Sequence, residues 1–202
     1  GVRIMAYTTI DDPTIYFNMK LTSGTGNSQA VTGLGFQPDW IWGKKNSHTG
    51  HHTLFDVVRG ITKGLETTGS GAEFTSTDYY SSFDSDGFTI AAGAGGTGNG
   101  SGQTGIHWCW KGGGSASSNS NGTITSSVSA NTTAGFSIVT TTGTGSAATI
   151  GHGIGAAPKM IIGKRRDSGS SNWRVFNSNL SSNSHIIFLD TADGEQSGNS
   201  AT

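Results

Sequence analysis

Large apolar side chains alternate with small or polar ones over short runs of this chain, the period of a strand with one buried face. In Asp39-Trp-Ile-Trp-Gly-Lys44 the tryptophans Trp40 and Trp42 share one face, and Ile41 and Gly43 share the other. Ile106-His-Trp-Cys-Trp110 repeats the pattern with Trp108 and Trp110. Residues 88–90, 134–139, 158–162, 173–176 and 185–189 read as further strands. Pro38 and Pro158 stand just before strands, where a missing amide hydrogen is tolerated. Gly, Asn, Asp and Ser fill the intervals with turn chemistry. No helical period persists anywhere, so the pattern predicts an all-β chain of β-sandwich type, jelly-roll or concanavalin-like. Trp40, Trp42, Trp108 and Trp110 are expected in its core, and ring stacking on sugars is their alternative use.

Two segments of the chain align with each other. The first runs from Gly24-Thr-Gly26 to Pro38 and on through Trp40-Ile-Trp-Gly-Lys44; the second runs from Gly143-Thr-Gly145 to Pro158 and on through Met160-Ile-Ile-Gly-Lys164. The offset is 143 − 24 = 119 before a one-residue insertion and 158 − 38 = 120 after it. Phe17 pairs with Phe136, and Leu54-Phe-Asp56 with Val175-Phe-Asn177. Residues 1–111 are therefore expected to form one sandwich unit and residues 123–202 a second, related one. Residues 112–122, all Gly, Ser, Asn and one Ala, hold no side chain able to anchor a core and read as a flexible linker. The second unit reads as truncated, because the counterpart of residues 83–90 would begin near 83 + 121 = 204. Either the natural chain continues, or a neighbouring chain supplies the final strands, or the second unit is smaller.

Composition sharpens the fold class. The 202 residues include 33 Gly, 27 Ser and 27 Thr against 6 Leu and 3 Glu, which removes helical bundles and doubly wound α/β enzymes. Five Trp, nine Phe and four Tyr argue against disorder. A net charge of −1 offers no basic field for a nucleic acid backbone. No apolar run is long enough to span a membrane, and no hydrophobic leader opens the chain. Cys109 is the one cysteine, which excludes an internal disulfide and a cysteine-based zinc site.

Candidate chemistry is sparse. The glycine-rich run 92–102 lacks the Gly-Lys-Ser/Thr ending of a phosphate loop and reads as a flexible loop. Asp84-Ser-Asp86-Gly87 resembles the opening of a calcium loop but lacks its distal ligands, and reads as an Asx-type turn. Two or three of His48, His51 and His52 with Asp56 could hold a transition metal, but their spacing matches no helical metalloprotease motif and they read as a solvated loop. His107 and His152 read as hydrogen-bonded structural residues. Glu66, Glu73 and Glu195 do not form the paired-carboxylate arrangement of a glycosidase. No nucleophile elbow is present. Lys164-Arg-Arg-Asp167 reads as a charged strand end, and the sequons at Asn99, Asn121, Asn131 and Asn179 as products of a Ser/Thr-rich composition. Trp173 and the pair Tyr79 and Tyr80 are open between core and surface. No catalytic residue, metal ligand or cofactor is assigned, and no ligand-binding residue is named.

Gly-Phe-Gln-Pro-Asp-Trp-Ile-Trp (35–42), Leu-Phe-Asp-Val-Val-Arg-Gly (54–60), Ser-Phe-Asp-Ser-Asp-Gly-Phe-Thr-Ile (82–90), 127–140 and 151–161 resemble a domain of uncharacterised function in virion and tail-fibre-type proteins of marine tailed bacteriophages. The resemblance runs from about Tyr7 to Ala201, and Met5-Ala6-Tyr7 looks like a natural start. It implies tandem lectin-like sandwiches on a virus particle, without transferable catalytic residues. The expected function is thus a non-enzymatic virion appendage or surface decoration contributing to recognition of host-surface glycan. Its expected partners are further copies of itself and other virion proteins, in a homo-oligomer, with no nucleic acid and no membrane insertion. A carbohydrate-active enzyme on the same fold and a purely architectural capsid or filament subunit are the alternatives.

Overall fold

The computed structural model describes residues 10–93 and 96–197. The expected start at Met5 and both ends of the resemblance, Tyr7 and Ala201, lie outside them. The described residues form a 3-10 turn (Pro13–Ile15) and sixteen strands, with no α-helix. The all-β expectation holds: the strands make several antiparallel sheets, none closed into a barrel.

The first unit contains β1 (Phe17–Ser23), β2 (Gln29–Thr32), β3 (Trp40–Lys45), β4 (His52–Asp56), β5 (Lys63–Glu66), β6 (Phe74–Thr75), β7 (Tyr80–Asp84), β8 (Gly87–Ile90) and β9 (Thr104–Trp110). Six strands pair in the order β1-β9-β3-β4-β5-β6, and three in the order β2-β8-β7. The sheets pack face to face around Val31, Leu34, Phe36, Ile41, Phe55, Tyr80, Phe88, Ile90 and Cys109. Alternation decides which residues enter that core. On β3 and β9 the buried positions are Ile41, Gly43, Gly105, His107 and Cys109.

The tryptophans therefore sit elsewhere than expected. Trp40, Trp42, Trp108 and Trp110 occupy the opposite, outer face of the six-stranded sheet and are only half-buried. The alternation is present, and the tryptophans take its outer side. The inner side is already filled by the second sheet, and close packing there favours small and β-branched residues beside Tyr80 and Phe88.

The second unit contains β10 (Ser117–Asn119), β11 (Ser126–Asn131), β12 (Phe136–Thr141), β13 (Met160–Gly163), β14 (Arg174–Asn177), β15 (His185–Phe188) and β16 (Gln196–Ser197). They form a sheet β10-β11-β12 and a sheet β13-β14-β15-β16. Its meander repeats the first unit's β3-β4-β5-β6. Ile41 lies opposite Phe55 and Trp42 opposite Leu54; likewise Ile161 lies opposite Phe176 and Ile162 opposite Val175. Leu54 faces Leu65 as Val175 faces Ile187. Phe17 and Phe136 both open their strands, β1 and β12.

Residues 112–122 do not form a free spacer. Residues 117–119 are strand β10, paired with β11. Gly113 N–H donates to Ser129 Oγ (2.9 Å) and Gly114 N–H to Asp39 Oδ2 (3.0 Å). Without side chains this segment packs by backbone, which composition alone reads as flexibility. The glycine-rich run 92–102 behaves similarly over its described residues. A side chain at Gly24 would strike Gly100 O at 2.2 Å, and Asn99 Nδ2 donates to Asn27 O and Ala91 O. It is thus a packed loop, and its residues 94 and 95 lie outside the described set.

The units dock outer face to outer face. Leu54, Leu65 and Trp173 form a buried cluster with Trp40 and Ile162 against it. Trp173 Nε1 donates to Glu66 O at 2.8 Å. Phe136 stands edge-on to Trp40 (5.8 Å) and stacks on Trp110 (6.4 Å).

Candidate functional surface

The outer face of the six-stranded sheet is covered unevenly. Phe136 shields Trp40 and Trp110, and Trp173 shields Leu54 and Leu65. Farther along β1, β9 and β3 the cover ends. Met19 lies opposite Trp108 and Leu21 opposite Ile106 on β1 and β9, and Trp42 lies opposite Trp108 on β3. Met19 is 49% exposed and Leu21 67%. His52 lies parallel to the Trp108 ring (6.3 Å, 4°), and Trp42 stands edge-on to both. Burial, then the charge of Lys44, lowers the His52 pKa, so the ring is uncharged at neutral pH. Trp42 Nε1 and His52 Nδ1 are buried without a hydrogen-bond partner. The result is a continuous aromatic and aliphatic strip with polar atoms set into it.

The histidine group singled out in the sequence is dispersed. His48 Nδ1 meets Ser47 Oγ, and His51 Nδ1 meets Thr68 Oγ1 and lies 3.5 Å from Glu66. His52 belongs to the aromatic strip. Asp56 is at the far end of β4, where its carboxylate accepts from Arg59 Nε at 2.6 Å. Among the described residues no three His, Cys, Asp or Glu side chains converge as metal ligands.

Asp84 and Asp86 serve turns. Asp86 accepts from Gly35 N–H (2.6 Å) and Gly33 N–H (2.9 Å), and these bonds, Gly35 first, lower its pKa. Asp84 accepts from Thr89 Oγ1. A side chain at Gly87 would meet Val31 O at 1.8 Å, so the turn packs directly against β2.

His107 is wholly buried. Tyr80 Oη lies 2.9 Å from its Nδ1 and Thr22 Oγ1 lies 3.1 Å from its Nε2. Burial pulls its pKa down to about 3, so the neutral ring donates through one nitrogen and accepts through the other. Gly43 makes room for this, since a side chain there would sit 2.2 Å from Tyr80 Oη. His152 Nδ1 accepts from Ile154 N–H. Cys109 is buried in the same core, which raises its thiol pKa and leaves it inert.

Two clusters carry no signal that sequence reading caught. Arg59 donates from Nε to Asp56, from Nη1 to Glu73 Oε2 (3.2 Å) and from Nη2 to Leu54 O, with its side chain 3% exposed. Arg166 of the second unit reaches the same Glu73 oxygen at 3.4 Å, and Lys164 Nζ donates to Ser70 O and Ser171 O. The stretch 164–167 thus joins the units, except for Arg165 and Asp167, which pair on the surface. The second cluster is Ser181, His185 and Glu195. Ser181 Oγ and Glu195 Oε1 both approach His185 Nδ1, at 2.8 and 2.7 Å. A nucleophilic relay needs the serine and the acid on opposite ring nitrogens, so this geometry is that of a surface hydrogen-bond cluster. Of the other residues left open, Tyr80 is buried, Tyr79 half-buried, and Trp173 buried at the unit interface.

No curated protein and no solved structure matches the chain. Residues 12–202 match the family described as a domain of unknown function, DUF7483, and the chain belongs to that family.

Proposed function

We propose that the chain is a non-enzymatic part of a virus particle, a tail-fibre or surface-decoration module that meets host-surface glycan through its outer aromatic strip. The observation that carries this reading is the strip itself: Trp42, Trp108 and His52, bordered by exposed Met19 and Leu21, on a sheet whose neighbouring tryptophans are covered. A continuous exposed apolar patch on a rigid sheet marks a binding surface. Indole rings offer a sugar a flat apolar face with a polar edge. The resemblance to phage appendage proteins supports the setting. The test is a glycan array probed with the wild type and with Trp108→Ala, alongside unfolding curves. Selective glycan binding by the wild type, lost in a variant that still folds cooperatively, is expected. Absence of binding to every glycan, or equal binding by the variant, overturns the reading.

A specific observation favours the architectural alternative as a second role. Among the described residues strand β13 pairs on one side only, with β14, and Met160 and Ile161 on it are 52% and 51% exposed. Such edges template pairing between chains. A concentration-dependent sedimentation series that shifts to monomer with Ile161→Lys is the expected signature. A wild type that stays monomeric throughout removes this role.

A further inference from the structure

Away from the aromatic strip, a second site is built where the units meet. An open groove of about 480 Å³ is lined by Gln37 and Asp39 ahead of β3, by Lys111 and the glycines after β9, and by Asn131 and Thr132 after the core of β11. We propose that this groove binds one ring of a neutral saccharide.

The donor and acceptor set is the first reason. Asp39 is 2% exposed, and its carboxylate accepts from Gln37 Nε2 (3.3 Å) and Gly114 N–H (3.0 Å). A carboxylate has about four acceptor positions, so two remain. Asn131 Oδ1 accepts from Ala134 N–H, which fixes the amide and leaves its NH2 as a donor. Asn131 Nδ2 and Lys111 Nζ have no hydrogen-bond partner among the described residues. A hydroxyl group both donates and accepts, so adjacent hydroxyls on a ring satisfy a carboxylate and two nitrogen donors together. A phosphate or sulfate meets the Asp39 carboxylate, and an amine meets Lys111. The fixed opposite charges therefore select a neutral polyol over either ion.

Construction is the second reason. The groove exists only because the backbones of the two units approach closely. A side chain at Gly113 would strike Ala130 O at 2.3 Å, and one at Gly112 would lie 2.9 Å from Ser129 Oγ. Gly113 N–H donates to that same serine. The walls are thus preset rather than assembled around a ligand, which lowers the ordering cost of binding. The volume falls within the range of small-ligand sites.

Titrating the full chain with methyl glycosides of the common hexoses and N-acetylhexosamines, read by amide proton–nitrogen correlation spectra, tests the site. At least one glycoside is expected to give saturable shifts at the Gly112–Gly114 and Asn131 amides. Lys111→Ala should weaken that binding about tenfold, the weight of a hydrogen bond from a charged donor. Asp39→Asn should abolish it while keeping a side-chain acceptor for Gly114 N–H. The shifts should stay off the Trp42 and Trp108 indole N–H groups, which separates this groove from the aromatic strip. No saturable shift with any glycoside overturns the proposal, as does an undiminished titration of Lys111→Ala. Competition by inorganic phosphate would instead identify an anion site and equally overturns it.

Discussion

The two meanders, β3 to β6 and β13 to β16, pair their strands alike yet differ in what lies over them. Ile41 is fully buried in the first unit, while its counterpart Ile161 is 51% exposed in the second. Phe55 is buried, and its counterpart Phe176 is half-buried. The side chains are equivalent; the difference is the cover. In the first unit β9 fills the edge of β3, while β7 and β8 bring Tyr80 and Phe88 onto Ile41 and Phe55. Among the described residues of the second unit no strands take those places. Its meander is held instead by its other face, where Trp173 and Ile162 dock on the first unit. The same alternation of apolar residues therefore yields a closed sandwich in one case and a docked half-sandwich in the other.

Paired substitutions break this comparison most forcefully. Phe55→Ala should cost about 3–5 kcal/mol, as a cavity opens among Phe74, Tyr79 and Tyr80. Phe176→Ala should cost about 1 kcal/mol, because less apolar area leaves contact. Chemical denaturation of the two variants checks the pair, and equal losses would mean that the second face is covered in solution.

Acid should act through the closed unit. His107 lies on β9, and its pKa is about 3 in the fold against an ordinary 6.5. A depressed histidine is neutral when folded and takes up a proton on unfolding. Its contribution is complete above about pH 6.5 and is lost as pH falls toward 3, at up to about 1.4 kcal/mol per unit. By about pH 4.5 the loss should approach 3 kcal/mol. Unfolding curves of the wild type and His107→Gln across this window should converge on acidification. A constant gap between them would show that the ring takes up its proton as readily in the fold as in the unfolded chain.

Glycines sharpen the comparison further. Gly43→Ala puts a methyl 2.2 Å from Tyr80 Oη, which is pinned by His107 and two phenylalanines, and should cost about 1–3 kcal/mol. At the equivalent Gly163 the nearest atom to a new methyl is Arg174 O at 3.9 Å, and Gly163→Ala should be neutral within about 0.5 kcal/mol. Thermal melts of the two variants test this directly.

How much of this was legible in the sequence follows from which signals are local. Strand period, turn chemistry and the duplication are local or self-referential, and they located seven of the sixteen described strands, β3, β8, β9 and β12 to β15, together with the aligned segments. The side on which Trp40, Trp42, Trp108 and Trp110 sit was not legible, because alternation defines two faces without saying which one meets the second sheet. The ordered glycine segments were missed because their packing is made by backbone, which composition does not display. In the ionic network Asp56 and Arg59 are near neighbours in sequence, but Glu73 joins from fourteen residues beyond Arg59 and Arg166 from 93 beyond Glu73, and no spacing announces those partners. The junction groove was invisible for the same reason, since Asp39, Lys111 and Asn131 meet only once the units dock.

A modest loss is expected at the seam that substitutes for the missing cover. Trp173 combines burial among Leu54 and Leu65 with one hydrogen bond to Glu66 O. Trp173→Phe keeps most of the aromatic bulk and removes the N–H donor. It leaves that carbonyl without this bond, at a cost of about 1 kcal/mol. The loss should fall on the second unit, whose other face is open, more than on the first, which retains its own core. Hydrogen exchange read per residue separates them: amides of β13 to β15 should lose protection while those of β3, β8 and β9 keep theirs. A uniform loss across both units would mean that they unfold as one cooperative body, and that the second meander draws its stability from the whole chain rather than from this seam.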